Sequence, residues 1–205
     1  MEDMAYWSAG IVRMSNVQAF VDASNDWGND RVREYGATDI NMIQVVLGGE
    51  AAGTVQIGFE YPSIDAVLAG NAQQYSDPQI LELLQDCGAE LVRRSLLRTV
   101  GERGERTGAY ATGLYVAHDP IDDETANSNL DVNWSHMQEG ATGMAMMQII
   151  AGGELTGVTV FITNTDSADS LFAASAKNFA DPHVQKVMAD SNGRMVGRVV
   201  GRRLL

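Results

Sequence analysis

The sequence predicts an α+β fold in which one β-α-β-β-α-β unit occurs twice and the two antiparallel sheets pack against each other. Three observations carry this. Residues 36–60 (GATDINMIQVVLGGEAAGTVQIGFE) return as residues 140–164 (GATGMAMMQIIAGGELTGVTVFITN), with Gly-Ala-Thr, a Met-rich apolar run holding one Gln, Gly-Gly-Glu and a further Gly in the same places. The correspondence continues without a gap at an offset of 104 positions, from Gly36 meeting Gly140 to Asp77-Pro78 meeting Asp181-Pro182 and Arg94 and Arg98 meeting Arg198 and Arg202. The repeated strands are apolar at consecutive positions, not alternate ones, which marks a sheet covered on both faces.

Each element can be read once and checked against its twin. Residues 5–14 (AYWSAGIVRM) and 109–118 (AYATGLYVAH) read as strands rich in β-branched and aromatic residues. Ser15-Asn16 offers a helix N-cap, and Val17, Phe20, Val21 and Ser24 follow at helical spacing towards Tyr35, with Gly36 as terminator. The stretch SNDWGND in that helix is a poor helix former and predicts a break. Its twin, 121–139, begins with acids suited to a helix N-terminus. Residues 38–47 and 53–61 form a hairpin joined by a glycine turn. Ser63 then caps a second helix whose Ile64, Val67, Leu68 and Asn71 share a face. Asp77 caps a further helix with Pro78 at its first position, where a missing N–H costs nothing. Residues 90–100 and 194–204 close the units as strands. This order is the ferredoxin-like arrangement, a four-stranded sheet with helices on one face. Its bare face needs a second layer, and the other unit supplies it, closing a barrel. The boundary falls in the polar run GERGERTG, giving repeats over 1–104 and 105–205.

The 205 residues carry 27 acids against 14 bases, a net charge of −13. Such a surface lacks the basic footprint that nucleic acid requires, and it is repelled by anionic membranes. Cys87 is the single cysteine, so no intrachain disulfide can form. The start, Met1-Glu-Asp-Met, has no basic and apolar leader pattern, and no apolar run reaches a membrane span. A cytoplasmic protein is expected.

Gly36-Ala37, Gly49, Gly53, Ser63, Asp65, Ala66 and Asp77-Pro78, with Gly140-Ala141, Gly153, Gly157, Ser167, Ala168, Asp169 and Asp181-Pro182, resemble the pattern of the dimeric α/β-barrel superfamily. That superfamily includes antibiotic-biosynthesis monooxygenase-like, EthD-like and NIPSNAP-like proteins. The resemblance covers nearly the whole chain, twice, and rests on turns and caps. It implies a barrel that two chains usually build, here supplied by one chain as an internal pseudo-dimer, with further homo-oligomers open to it. It also implies a range of activities, from cofactor-free oxygenases and isomerases to haem-degrading enzymes and proteins of no known activity.

Chemistry is less legible. No nucleophile motif is present, and the glycine pairs lie between antiparallel strands, so they are turn residues and not a phosphate loop. His118, His136 and His183 show no metal-ligand spacing; no metal is expected, and His136 is the one to test as a haem ligand. Gln44 and Gln148 are lone amides in apolar strands, and Arg94 and Arg198 recur beside them. Such amides predict hydrogen bonds within each unit or across the pseudo-two-fold, or a polar group fixing a substrate oxygen. The aromatic residues differ between copies: Trp7 meets Ala111, Trp27 meets Asp131, and Trp134 meets Asp30. Tyr6, Trp7, Tyr110, Tyr115, Asn129 and Trp134 are therefore candidate pocket walls, with core packing as the competing reading. The resemblance to cofactor-free oxygenases implies parts for Asn25, Trp27 and Arg94 around a substrate that brings its own reactivity.

Three functions follow as expectations. The first is a small-molecule protein, without a cofactor, acting as monooxygenase or isomerase on a hydrophobic or aromatic substrate in a cavity of several hundred cubic ångströms. The second is a non-catalytic protein whose interior is filled by Met42, Met144, Met146 and Met147. The third is haem binding.

Overall fold

The structure is a computed structural model that describes residues 5–205; the acidic start Met1–Met4 lies outside the described residues. The first half contains strand β1 (Tyr6–Arg13), helix α1 (Val17–Ala23), a π turn (Ser24–Gly28), α2 (Asn29–Glu34), β2 (Asp39–Leu47), β3 (Val55–Tyr61), α3 (Ile64–Ser76), α4 (Pro78–Asp86) and β4 (Glu90–Gly104). The second half follows with β5 (Tyr110–Ala117), α5 (Asp123–Met137), β6 (Gly143–Ala151), β7 (Thr159–Thr165), α6 (Ala168–Ala180), α7 (Pro182–Asp190) and β8 (Arg194–Arg203). Eight antiparallel strands close into a barrel in the order β1-β3-β2-β8-β5-β7-β6-β4. Each half contributes one four-stranded sheet, and the seams are β2 against β8 and β4 against β6. Helices cover the outside. Among the described residues no helix is long and apolar enough to cross a membrane.

The caps explain the element boundaries. Asn16 Oδ1 accepts from the Ala19 amide, and the Ser63 hydroxyl accepts from the Ala66 amide, each at 3.1 Å. Asp77 Oδ1 accepts from Gln79 N at 2.8 Å, and Asp181 Oδ1 from His183 N at 2.7 Å, with Pro78 and Pro182 in the first turn. In the hairpin turns Gly49 and Gly153 sit at φ +61 and +63, the left-handed region that glycine enters without penalty. Each turn also winds one short 3₁₀ segment, Gly49–Ala51 and Gly153–Leu155.

Three local expectations are corrected. The first helix does not break at SNDWGND; a π turn absorbs the poor helix formers, and α1 and α2 run on as one rod. Leu68 is 61% exposed, and α3 instead buries Val67, Gly70 and Gln74, because Gly70 must face the ring of Tyr61. Strand β4 continues past residue 100 to Gly104, because the seam with β6 pairs it as far as Gly143.

The seams also settle the lone amides. Arg98 faces Gln148 and Arg202 faces Gln44 as cross-strand partners. Arg98 Nε donates to Gln148 Oε1 at 2.9 Å, and Arg202 Nε donates to Gln44 Oε1 at 3.0 Å. The two glutamines thus bond across the pseudo-two-fold, to Arg98 and Arg202 and not to Arg94 and Arg198.

Packing accounts for much of the asymmetry between copies. A Cβ on Gly58 would lie 2.9 Å from the ring of Trp7, and one on Gly70 would lie 2.6 Å from the ring and hydroxyl of Tyr61. Where the second half has Ala111 in place of Trp7 it has Ile162 in place of Gly58. Where it has Thr165 in place of Tyr61 it has Ala174 in place of Gly70. Large and small residues have exchanged so that volume is kept.

Candidate functional site

Three cavities stand out: one between sheet and helices in each half, of about 90 Å³ apiece, and one of about 100 Å³ in the barrel lumen. The two outer cavities are related by the duplication. Ser8, Val12, Asn29, Met42, Gln74 and Arg94 line the first; Thr112, Val116, Asn133, Met146, Asn178 and Arg198 line the second at the same offset.

An arginine from the last strand of each half organises each cavity. Arg94 Nη1 donates to Asn71 Oδ1 at 2.8 Å, and its guanidinium lies 4.8 Å from the ring centroid of Tyr75. Arg198 Nη2 donates to the Ser175 hydroxyl at 2.9 Å, with Phe172 and Phe179 at 5.2 and 5.8 Å. Asn71 and Ser175 are twins, as are Tyr75 and Phe179. Neither arginine meets a carboxylate among the described residues, and the Nε of each is buried without a hydrogen-bond partner there. Burial holds Arg198 below the ordinary guanidinium value, since desolvation disfavours its charge with no acid to compensate. The guanidinium stays protonated regardless.

The second cavity is the more open to a ligand chemically. Arg94 bonds an amide oxygen, a stronger acceptor that also accepts from Ser8 Oγ at 3.1 Å, whereas Arg198 bonds a hydroxyl. Trp27 projects into the first cavity, and its twin Asp131 instead forms an ion pair with Arg103 at 2.7 Å. In the second cavity Asn178 donates to Asn133 Oδ1 at 2.8 Å and keeps a buried carbonyl without a partner among the described residues. Phe172, 41% exposed, and His183 stand on the rim.

The sequence candidates scatter over this frame. Trp27 and Arg94 share the first cavity, while Asn25 is exposed on the π turn. Arg198 and Asn129 line the second. Trp7 and Tyr115 line the lumen. Tyr6 packs on the cluster around Tyr61, Tyr110 is 42% exposed, and Trp134 packs on the cluster around Leu130 without lining a cavity. Gln44 and Gln148 belong to the seams. His136 Nε2 lies 3.2 Å from Asp181 Oδ2 and so braces the start of α7. Sequence reasoning passed over Asn71, Ser175 and Asn178. The signal available was that these positions are polar in both copies, Asn71 with Ser175 and Gln74 with Asn178.

Two of the three histidines are engaged: His136 faces Asp181, and both ring nitrogens of His118 meet Asp119 O and Thr159 Oγ1 at 2.7 and 2.8 Å, while His183 is exposed on the cavity rim. Met144 and Met146 stand in the wall and leave about 90 Å³, room for roughly six waters. The several hundred cubic ångströms expected of an enzyme pocket are not there in this state. Among the described residues no three His, Cys, Asp or Glu gather as metal ligands. Cys87 is 1% exposed, and burial pushes its thiol up, so it packs as an inert residue.

No protein-family model matches the chain, and no curated protein does. Solved structures do. A chlorite dismutase variant from Candidatus Nitrospira defluvii superposes with a TM-score of 0.60 at 8% identity, covering 99% of this chain and 92% of the other. A protein from Fusobacterium nucleatum provisionally described as a monooxygenase gives 0.59 at 8%, over 100% and 94%. An anthrone oxidase-like protein gives 0.53 at 8%, over 97% and 91%. At these identities the likeness is one of fold: an eight-stranded antiparallel barrel with helices outside, shared with structures described as chlorite dismutases and monooxygenases and supplied here by two halves of one chain.

Proposed function

We propose that the protein binds a small, largely apolar molecule carrying an anionic oxygen, a carboxylate, phenolate or enolate, in the cavity of the second half. The observation that carries this is Arg198: a charged, half-buried guanidinium in an apolar wall, with an unpartnered Nε–H and no carboxylate beside it. An oxyanion would supply the missing acceptor, and a desolvated guanidinium holds one strongly. Asn178 and Asn133 add a polar edge, and Phe172 and Phe179 give a flat apolar one. The volume restricts it to a single ring unless Met144, Met146 or Phe172 swings aside.

Benzoate and benzamide, alike in shape and different in charge, test the reading by calorimetric titration. Benzoate binds at least about tenfold more tightly than benzamide, and Arg198→Met removes that preference while Arg94→Met leaves it. Equal affinities, or an unchanged preference in Arg198→Met, overturn it. An oxygenase would in addition consume dioxygen with a bound phenolate, which an oxygen electrode reads. Haemin added to the purified protein produces no Soret band of a ligated haem on this reading.

A further inference from the structure

The barrel lumen is a separate chamber, and its polar side chains are left unpaired. Trp7 Nε1, Asn41 Oδ1, Gln56 Nε2 and Asn164 Oδ1 are all buried without a hydrogen-bond partner among the described residues, and all four side chains line this cavity. By strand register Trp7 and Asn164 lie at one mouth, Asn41 two residues deeper and Gln56 two deeper again. A buried polar group left alone loses about 1–3 kcal/mol, so four converging on one space point to something that fills it.

The two walls of the lumen differ in kind. Asn41, Gln56, Arg93 and Ser95 come from the first half, and their twins are Ala145, Val160, Gly197 and Val199. The exchange is one of polar for apolar, unlike the volume swaps at Trp7/Gly58 and Tyr61/Gly70. Apolar side chains are thus compatible with the barrel at these four positions, since their twins have them, and the polar ones do not serve packing.

The charge at the mouth narrows the occupant. Arg106, from the segment joining the halves, lies 4.8 Å from the ring centroid of Trp7 and is already held by Asp39 Oδ2 at 2.8 Å, Glu60 Oε2 at 2.7 Å and Glu102. Three carboxylates around one guanidinium repel an anion at that end, and Arg93, which lines the lumen at the level of Gln56, repels a cation deeper in. Each of the three lumen amides carries a donor end and an acceptor end, so the set is mixed whichever way each is turned, and Trp7 adds a fixed donor.

We propose that the lumen is a second ligand site, taking a small neutral molecule that both donates and accepts hydrogen bonds on a compact apolar body, of the lactam or carboxamide class. The site is independent of Arg198 and of the outer cavity.

The test uses 2-pyrrolidone, which has one N–H and one carbonyl, against cyclopentanone, which has the same ring and no N–H. The readout is the indole N–H resonance of Trp7 in ¹⁵N-labelled protein, assigned through Trp7→Phe. 2-Pyrrolidone shifts it saturably, and cyclopentanone binds about tenfold more weakly. Asn41→Ala with Gln56→Val, the residues of the opposite wall, abolishes the shift and raises Tm by a few degrees, because orphaned polar groups have gone. Arg198→Met leaves the shift intact. A lumen that holds only water gives no saturable shift and overturns the proposal, as does equal binding of the two probes. That comparison runs on the unmodified protein and so survives if the double variant fails to fold.

Discussion

In the first half Arg94 bonds the amide of Asn71 and lies over Tyr75; in the second, Arg198 bonds the hydroxyl of Ser175 and lies beside Phe172 and Phe179. The construction is the same and the side chains are not. Two kinds of divergence can be separated. At Trp7/Gly58 and Tyr61/Gly70 a change in one residue is matched by a change in its neighbour, and the result is an equally filled core. At Asn71/Ser175 outside the barrel an amide becomes a hydroxyl, and at Asn41/Ala145 inside it a polar side chain becomes apolar; these are the positions where ligand chemistry is to be sought.

The helix caps offer the sharpest contrast. Asp77 accepts from Tyr35 at 2.7 Å and from Arg31 at 2.9 Å besides capping α4, and its side chain is 3% exposed. Asp181 caps α7 with only His136 beside it, at 26% exposure. Asp77→Ala is expected to lose about 3 kcal/mol in urea unfolding and Asp181→Ala clearly less; equal losses would break the contrast.

Gly70→Ala gains about 1 kcal/mol of helix propensity but drives a methyl into Tyr61, for a net loss of about 1–2 kcal/mol. Combining it with Tyr61→Thr, the second-half pair, should recover part of the loss in a double-mutant cycle, and strict additivity would deny the compensation.

At the seams Arg98 also pairs with both oxygens of Asp123 at 2.7 Å, whereas among the described residues the Arg202 side chain bonds Gln44 alone. Arg98→Met is expected to lose about 1 kcal/mol and Arg202→Met about 0.5 kcal/mol by the same measurement.

The acid limb of stability completes the set. Asp77 is held below the usual carboxylate range chiefly by the Tyr35 hydroxyl, and Asp181 chiefly by the amides of Val184 and His183. A carboxylate depressed in the folded state contributes stability above its unfolded value, lost as pH falls through the folded one. Both contributions therefore begin to fade below about pH 4 and are gone once the pH passes the lower folded value. Asp77→Asn keeps a capping oxygen and should flatten that fall; an unchanged acid limb in thermal melts contradicts it.

Most of the fold was legible because its determinants are local. Caps such as Ser63 and Asp77-Pro78 and turn glycines such as Gly49 act within a few residues, and the duplication let each be read twice. The π turn was not legible, since SNDWG signals only that an α-helix is disfavoured and not what replaces it. Of the candidate site, Arg94 and Arg198 stood out by recurrence, but their partners did not. Gln44 and Gln148 bond Arg202 and Arg98 because the seams align them across 158 and 50 residues of chain, a register no local pattern encodes.

The joining segment that carries Arg106 has a consequence for descent. In a barrel built from two identical chains, every substitution appears on both walls at once, so an asparagine in the lumen arrives as a pair. Covalent linkage lets each mutation count once, and Asn41 and Gln56 can stand on one wall with Ala145 and Val160 at their twin positions.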